Sequence, residues 1–213
     1  MKKVVAINGS PRKNANTATL LQKVLAGAAS AGAETEMINL IDLKYQGCIS
    51  CFACKLKDTK FIGACAVRDD LSPVLEKAME ADALVLGSPI YLGDVTGMMR
   101  SFIERFGFMN TSYSNKDRWH TSTKKNGAFV YTMNVTKAFS KLFTYTYMFN
   151  TGILKKFGGY TKQLFCTNTY QFNDYARYDV LNFDENKKKK ARDNVFPKDC
   201  EKAYNIGINL VRL

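Results

Sequence analysis

The sequence predicts an α/β protein of three layers, with helices on both faces of a parallel sheet of about five strands. Apolar runs such as residues 83–87 are unbroken, as expected for strands buried on both faces. Amphipathic helical segments alternate with these runs, and strands joined through helices form right-handed crossovers onto one parallel sheet. The composition agrees, because 46% hydrophobic and 23% charged residues are typical of a globular protein.

The first half of the chain alternates strands and helices in a regular way. A strand at residues 3–7 precedes a helix that we expect to begin at Asn16, a good N-cap, and to stop at Gly32. An extended segment at residues 34–40 leads into a cysteine-bearing loop. The next helix is expected to have Ser72 as its N-cap, with proline at the first helical position.

The second half continues the same alternation. After the strand at residues 83–87, Asp94 or Thr96 is expected to cap a helix, and a fourth strand follows. The predicted ranges are strands at 128–132 and 161–166, and helices at 136–149 and 199–211. The Tyr- and Phe-rich segment 170–183 has neither a helical nor a strand pattern, so no secondary structure is predicted for it. Because the sequence has no internal repeat and no linker long enough to mark a domain boundary, we expect one domain over residues 1–213. This domain would include a cysteine-rich loop at 45–68 and a C-terminal extension at 170–213.

The charge balance favours anionic partners without choosing among nucleotides, nucleic acids and phospholipids. There are 31 basic and 19 acidic residues, a net charge of +12. The lysine run at 187–190 has acidic neighbours and indicates a solvated helix face, so nucleic-acid binding is not expected. No apolar run is long enough to cross a bilayer and no export signal is present, so we expect a cytoplasmic protein without a membrane partner.

His120, the only histidine, has no nucleophile motif beside it, which argues for a loop residue and against hydrolase chemistry.

The loop after the first strand has the chemistry of an anion site. Residues 9–17 join a buried strand to a helix start, whose outward N–H groups and positive dipole end favour a phosphate. Ser10, Asn16 and Thr17 add side-chain donors, and the guanidinium of Arg12 can pair two phosphate oxygens. Neither G-x-G-x-x-G nor G-x-x-x-x-G-K-[ST] is present, which argues against a dinucleotide or a nucleoside triphosphate.

A second motif follows the third strand, at the same predicted edge of the sheet. Pro89 fixes the chain direction, Tyr91 offers a flat amphipathic face, and Gly93 permits close backbone approach to a planar ring. Because ligands bind beyond the carboxyl ends of parallel strands, Ser10, Pro89 and Asn134 are expected to converge there.

These two motifs together resemble a known family. The run NGSPR at residues 8–12 with Asn16 and Thr17, and the run GSPIY at residues 87–91, are similar to the NADPH-dependent FMN reductases of the flavodoxin-like fold. The resemblance covers roughly residues 2–170. It implies a sheet of order 2-1-3-4-5 and an FMN 5′-phosphate in the loop at residues 10–17. The residues that it implies around the rest of the flavin are Pro89, Ile90, Tyr91, Leu92, Gly93, Met133 and Asn134.

The same resemblance implies an activity and its partners. FMN would take hydride at N5 from NADPH or NADH and pass electrons to a small acceptor, such as a flavin, quinone, azo or nitro compound, or metal ion. No catalytic side chain is then expected, because the flavin carries the chemistry. A homodimer is also implied.

The cysteines leave several interpretations open. Cys48, Cys51 and Cys54 have the spacing C-x-x-C-x-x-C, which is similar to a ferredoxin ligand run and to the branch of iron–sulfur flavoproteins, with Cys65 as the fourth ligand. The long gap before Cys65 favours a loop of free thiols over a [4Fe–4S] cluster, and a four-sulfur zinc site comes third. The alternative functions are an electron carrier with FMN and a cluster, or a basic nucleic-acid or regulatory module on a flavodoxin-like scaffold without cofactor. Cys166 and Cys200 are expected to be isolated, ordinary buried thiols.

Overall fold

A parallel sheet forms the centre of the molecule, described by a computed structural model over residues 1–57, 59–116, 119–120, 123–180 and 183–213. The strands are β1 Lys3–Asn8, β2 Glu34–Asn39, β3 Ala83–Tyr91, β4 Asp94–Val95, β5 Lys125–Thr132 and β6 Gly158–Cys166. Their order is β2-β1-β3-β5-β6, all parallel, and the short β4 pairs antiparallel with the end of β3. The five long strands therefore confirm the order 2-1-3-4-5.

Helices cover both faces of this sheet, as predicted. The helices are α1 Asn16–Ser30, α2 Ser72–Glu80, α3 Gly97–Asn110, α4 Lys137–Ser140, α5 Thr144–Lys155, α6 Glu185–Asn194 and α7 Phe196–Arg212. Val4 and Ala6 of β1 face the layer of α1 and α7, whereas Val5 and Ile7 face the layer of α2, α3 and α5. Because successive side chains of a strand point to opposite faces, each apolar run serves two cores.

Several predicted helix starts differ in detail. Ala15, and not Asn16, is the N-cap of α1, and Asn16 is its first helical residue. Leu71 precedes α2 in the cap position, and the Ser72 hydroxyl instead donates to the carbonyl of Val67 at 2.8 Å. Of the two candidates before α3, Thr96 is the cap, with Oγ1 accepting from the Met99 N–H at 3.2 Å.

The strand β3 ends in a tight hairpin that its apolar run does not predict. The chain turns through Leu92 and Gly93, whose φ angles are 50° and 88°, and returns as β4. Positive φ at both central residues is typical of two-residue hairpin turns. Gly93 is therefore required by the turn itself.

The lysine run and the two isolated cysteines also depart from expectation. Lys188 is only 6% exposed, so the run at 187–190 is not wholly solvated. Burial, with Asp199 and Cys200 nearby, raises the pKa of the Cys166 thiol. The two cysteines are thus buried or half-buried as expected, but they are neighbours.

Two other expectations concern the second half of the chain. The helix predicted at 136–149 is two helices, α4 and α5, which together reach Lys155. His120 lies in a loop as expected, and burial lowers its pKa. Within the described residues, the helices lack the combination of length and apolar character that spanning a bilayer requires.

Candidate functional site

The loops predicted to form the site begin at neighbouring positions of the sheet. Asn8 at the end of β1 pairs with Gly87, and Pro89 pairs with Thr132 at the end of β5. The chain leaves all three strands at their carboxyl ends. The structure therefore places the predicted phosphate loop, the hairpin and the Met133 segment along one edge of the sheet.

The loop between β1 and α1 is folded on itself. Ser10 is only 4% exposed, and its N–H donates to Oδ1 of Asn8 at 3.0 Å. The Ser10 Oγ accepts from the N–H of Arg12 at 3.1 Å. Asn8 is itself fixed, because its Nδ2 donates to Oδ1 of Asn39 on β2 at 2.9 Å. Sequence reasoning missed Asn8 as a brace, although it opens the motif that carries the resemblance.

The start of α1 is suited to an anion. Ala15 has no side-chain acceptor to offer, so within the described chain no cap side chain accepts from the first turn of the helix. The first N–H groups of a helix lack intrahelical partners and carry the positive end of its dipole. An uncapped helix start at the carboxyl edge of a parallel sheet is a phosphate-binding arrangement.

The C-terminal extension holds two of the predicted phosphate ligands. Arg12 Nη1 donates to the carbonyl of Gln171 at 2.8 Å, and Asn16 Nδ2 donates to the carbonyl of Tyr170 at 3.0 Å. Arg192 of α6 donates to Oδ1 of Asn16 at 2.9 Å. These contacts join residues far apart in the chain, which is why sequence patterns did not predict them.

Thr17, the remaining predicted donor of the loop, faces the sheet. It is 2% exposed, and its hydroxyl is 2.7 Å from the hydroxyl of Thr132. This bond fixes the first turn of α1 to the end of β5.

The hairpin after β3 is attached to the phosphate loop by one threonine. Thr96 Oγ1 donates to the carbonyl of Gly9 at 2.7 Å, and the Thr96 N–H donates to Ser88 Oγ at 3.0 Å. Tyr91 and Leu92 project outward at the hairpin tip and are exposed, whereas Pro89 and Ile90 are half-buried. The sequence had marked Thr96 only as a helix cap.

The segment after β5 supplies an acceptor without a partner. Met133 is buried, and its Sδ accepts from the Tyr147 hydroxyl at 3.3 Å. The side-chain Oδ1 of Asn134 is buried, and within the described residues it has no hydrogen-bond partner. The ammonium of Lys188 donates to the Asn134 backbone carbonyl. A buried amide oxygen that has no protein partner is free to accept a hydrogen bond from a bound molecule, including water.

The four cysteines of the loop border one small cavity. Cys48, Cys51, Cys54 and Cys65 all line a cavity of about 20 Å³. Burial raises the pKa of the Cys54 thiol, and the neighbouring Lys55 opposes that rise. A cavity of this size holds about one water molecule, which is less than a cluster of four irons requires. Among the described residues, His, Cys, Asp and Glu side chains form no group of three arranged to hold a metal ion. The donor set suits iron or zinc, whereas the cavity as found does not fit a cluster.

A buried arginine organises this loop. Arg105 of α3 is 1% exposed, and its Nη1 is 2.5 Å from Oδ2 of Asp69. Its Nη2 donates to the carbonyl of Val67 at 3.0 Å, and Nη1 also donates to the carbonyl of Gln46 at 3.4 Å. Burial opposes the charge of Arg105, but Asp69 and Cys65 outweigh burial and raise its pKa. Both ends of the cysteine loop are therefore fixed to one side chain, which sequence reasoning missed.

The sheet order and the loops at its carboxyl edge define a flavodoxin-like protein. A solved structure of an NAD(P)H:quinone oxidoreductase from Methanothermobacter marburgensis is similar in fold, with a TM-score of 0.68, 13% identity and 98% of each chain covered. The model of the NADPH-dependent FMN reductase family matches residues 2–141. The chain belongs to that family.

Curated relatives match a smaller part of the chain. It is 40% identical over 103 residues to an iron–sulfur flavoprotein of Methanocaldococcus jannaschii, covering 48% of this chain and 51% of the relative. It is 45% identical over 103 residues to an iron–sulfur flavoprotein of Archaeoglobus fulgidus, covering 48% of each. The matches span about half the length of these relatives.

Proposed function

We propose that this chain is an FMN-dependent oxidoreductase that accepts hydride from NADPH or NADH and reduces a small acceptor. The observation that carries the proposal is the uncapped start of α1 beside the hairpin and the unpartnered Asn134 oxygen, in a member of this family. Bound FMN would supply the hydride and electron chemistry. The chain would supply binding, orientation and an open face for the nicotinamide.

The residues divide this work by their position. The first N–H groups of α1 and the Arg12 guanidinium would hold the 5′-phosphate, while Asn16 and Ser10 keep the loop in shape. Exposed Tyr91 and Leu92 would border the ring at the hairpin tip. Asn134 Oδ1 would accept a hydrogen bond from the flavin. The hydrogen bond from Thr96 to Gly9 would keep the hairpin and the phosphate loop at a fixed separation.

The central test is FMN binding by the purified chain and by Arg12→Glu. We expect the unmodified chain to bind FMN and oxidise NADPH or NADH, and the variant to bind FMN about 10-fold to 100-fold more weakly. This range corresponds to a charged hydrogen bond of about 1.5–3 kcal/mol. Flavin fluorescence quenching measures both affinities.

Lys23→Glu is the control for this test, because Lys23 is exposed on α1 and the same change in net charge leaves the loop intact. Thermal unfolding of both variants checks that they are folded. Absence of FMN uptake by the unmodified chain contradicts the proposal. Equal affinities for Arg12→Glu and Lys23→Glu would remove Arg12 from the phosphate site.

A second candidate is an iron–sulfur flavoprotein that carries electrons between proteins. The specific observation in its favour is that the four cysteines of the loop line one cavity next to buried Arg105, although this cavity would have to widen to hold a cluster. We expect iron and acid-labile sulfide analysis of protein purified without oxygen to separate this candidate from a loop of free thiols. About four irons per chain, lost in Cys54→Ser and kept in Cys200→Ser, would establish the cluster; substoichiometric iron would reject it.

The remaining proposals rest on the family resemblance. We propose a single FMN-binding domain over residues 1–213 that forms a homodimer in the cytoplasm, without nucleic-acid or membrane partners. Sedimentation equilibrium of the FMN-loaded protein tests the dimer. A monomer at all accessible concentrations would contradict it.

A further inference from the structure

A groove of about 450 Å³ lies between α4, α5 and the edge strand β6, outside the candidate flavin site. Its rim carries Lys137, Lys141 and Lys155, and its wall contains Tyr147, Met148 and Phe165. The volume is in the range of small-molecule sites, about 300–1,000 Å³. The groove therefore combines room for one ring system with three cations.

The described part of the protein does not neutralise the positive charge of the groove. All three lysines are exposed, and their ammonium groups form no ion pair or hydrogen bond with any residue that the structure describes. The sequence from 118 to 173 contains no aspartate or glutamate, and none of the described residues that line the groove is acidic. Clustered like charges raise the local concentration of anions.

The wall of the groove is aromatic and rigid. The ring centroids of Tyr147 and Phe165 are 4.7 Å apart, and Phe165 is 37% exposed on the edge strand. The position of Tyr147 is fixed by the hydrogen bond that its hydroxyl donates to Met133 Sδ. Gln163 is also fixed, because its Nε2 donates to Thr151 Oγ1 at 2.8 Å. Because these side chains are already fixed, binding of a flat ligand would cost little side-chain conformational entropy.

We propose that this groove binds a small aromatic anion, a flat ring system that carries a sulfonate, carboxylate or phosphate. The ring would lie against Phe165 and Met148, and the anionic group would meet the lysines of the rim. A second copy of the chain is a poorer occupant, because a two-fold contact over the groove would bring the same lysines of both copies together. The groove shares no lining residue with the candidate flavin site, so the proposal does not rest on FMN binding or on the proposed activity.

The test is calorimetric titration of the full chain with naphthalene-2-sulfonate and with the neutral naphthalene-2-sulfonamide. We expect one sulfonate per chain and weaker binding of the sulfonamide. Lys141→Gln and Lys155→Gln should each lower the sulfonate affinity by up to about fivefold, as expected for exposed charges. Lys198→Gln, an exposed lysine on α7, is the matched control and should bind as the unmodified chain does.

The outcomes separate the groove from the flavin site. Sulfonate binding that persists at saturating FMN supports the proposal, and displacement by FMN overturns it by placing the ligand in the flavin site. Failure of the chain to bind FMN leaves the sulfonate result unaffected. No sulfonate binding, equal binding of the sulfonamide, or unchanged affinity in both lysine variants overturns the proposal. Loss of the sulfonate site under conditions where sedimentation shows a dimer also overturns it, in favour of a second copy.

Discussion

At the scale of single residues, Arg105 connects the cysteine loop to the core. Its side chain is 1% exposed and pairs with Asp69, whose side chain is 16% exposed. Removing two charges from water is costly, and their attraction offsets that cost only while both partners are present. The pair therefore adds less to stability than to the placement of the loop. Loss of either partner should be far more harmful than loss of an exposed pair.

Arg105→Met tests this point, because methionine keeps much of the volume and removes the charge. We expect the free energy of unfolding to fall by about 3–5 kcal/mol, since the Asp69 carboxylate is left unpaired. Urea unfolding measures the change. Arg68→Met is the control, because its pair with Glu76 is 62% and 68% exposed and should be worth at most about 1 kcal/mol. Equal losses in the two variants would show that burial of the pair does not matter.

At the scale of elements, α1 and α7 touch through their backbones. A Cβ at Gly207 would lie 1.9 Å from the carbonyl oxygen of Val24, and a Cβ at Gly27 would lie 1.9 Å from that of Tyr204. The two glycines thus allow the helices to pack more closely than any other residue would permit. This close contact lets both helices cover the same face of the sheet.

Gly207→Ala should destabilise the protein by about 3 kcal/mol, because the new methyl group forces two backbones apart. Thermal or urea unfolding measures the loss. Gly152→Ala in α5 is the matched control, since no atom of the described residues lies within 4 Å of its added Cβ. There the substitution should stabilise the helix by up to about 1 kcal/mol. A mild effect at Gly207 would mean that the two helices can separate at little cost.

The elements also show what the sequence could predict. The strands and the site loops were predictable, because unbroken apolar runs mark buried strands and because Ser10 and Pro89 directly follow two of them. The burial of Lys188 was not, since its acceptor is a backbone carbonyl 54 residues away. The same holds for Arg12, whose acceptor at Gln171 is 159 residues distant. Contacts of this kind leave no local pattern in the chain.

At the scale of the whole molecule, the C-terminal extension contacts the candidate flavin site in two places, at the start of α1 and after β5. Gln171 accepts from Arg12 beside the start of α1, and Lys188 donates to the Asn134 carbonyl after β5. The matched family region ends at residue 141, so the extension that makes these two hydrogen bonds lies outside that region. A ligand that binds only the ordered loops stabilises everything attached to them. FMN binding and attachment of the extension should therefore favour each other.

Limited trypsin digestion tests this coupling at Arg177, an exposed residue of the extension. We expect saturating FMN to slow cleavage at Arg177 in the unmodified chain, because bound FMN would stabilise the loops that the extension contacts. In Lys188→Met the protection should be smaller, since the bond to the Asn134 carbonyl is lost. Lys190→Met removes an exposed lysine of the same helix and should keep full protection. Mass spectrometry of the time course gives the rates. If FMN binds and leaves cleavage at Arg177 unchanged, the extension and the flavin site are energetically independent.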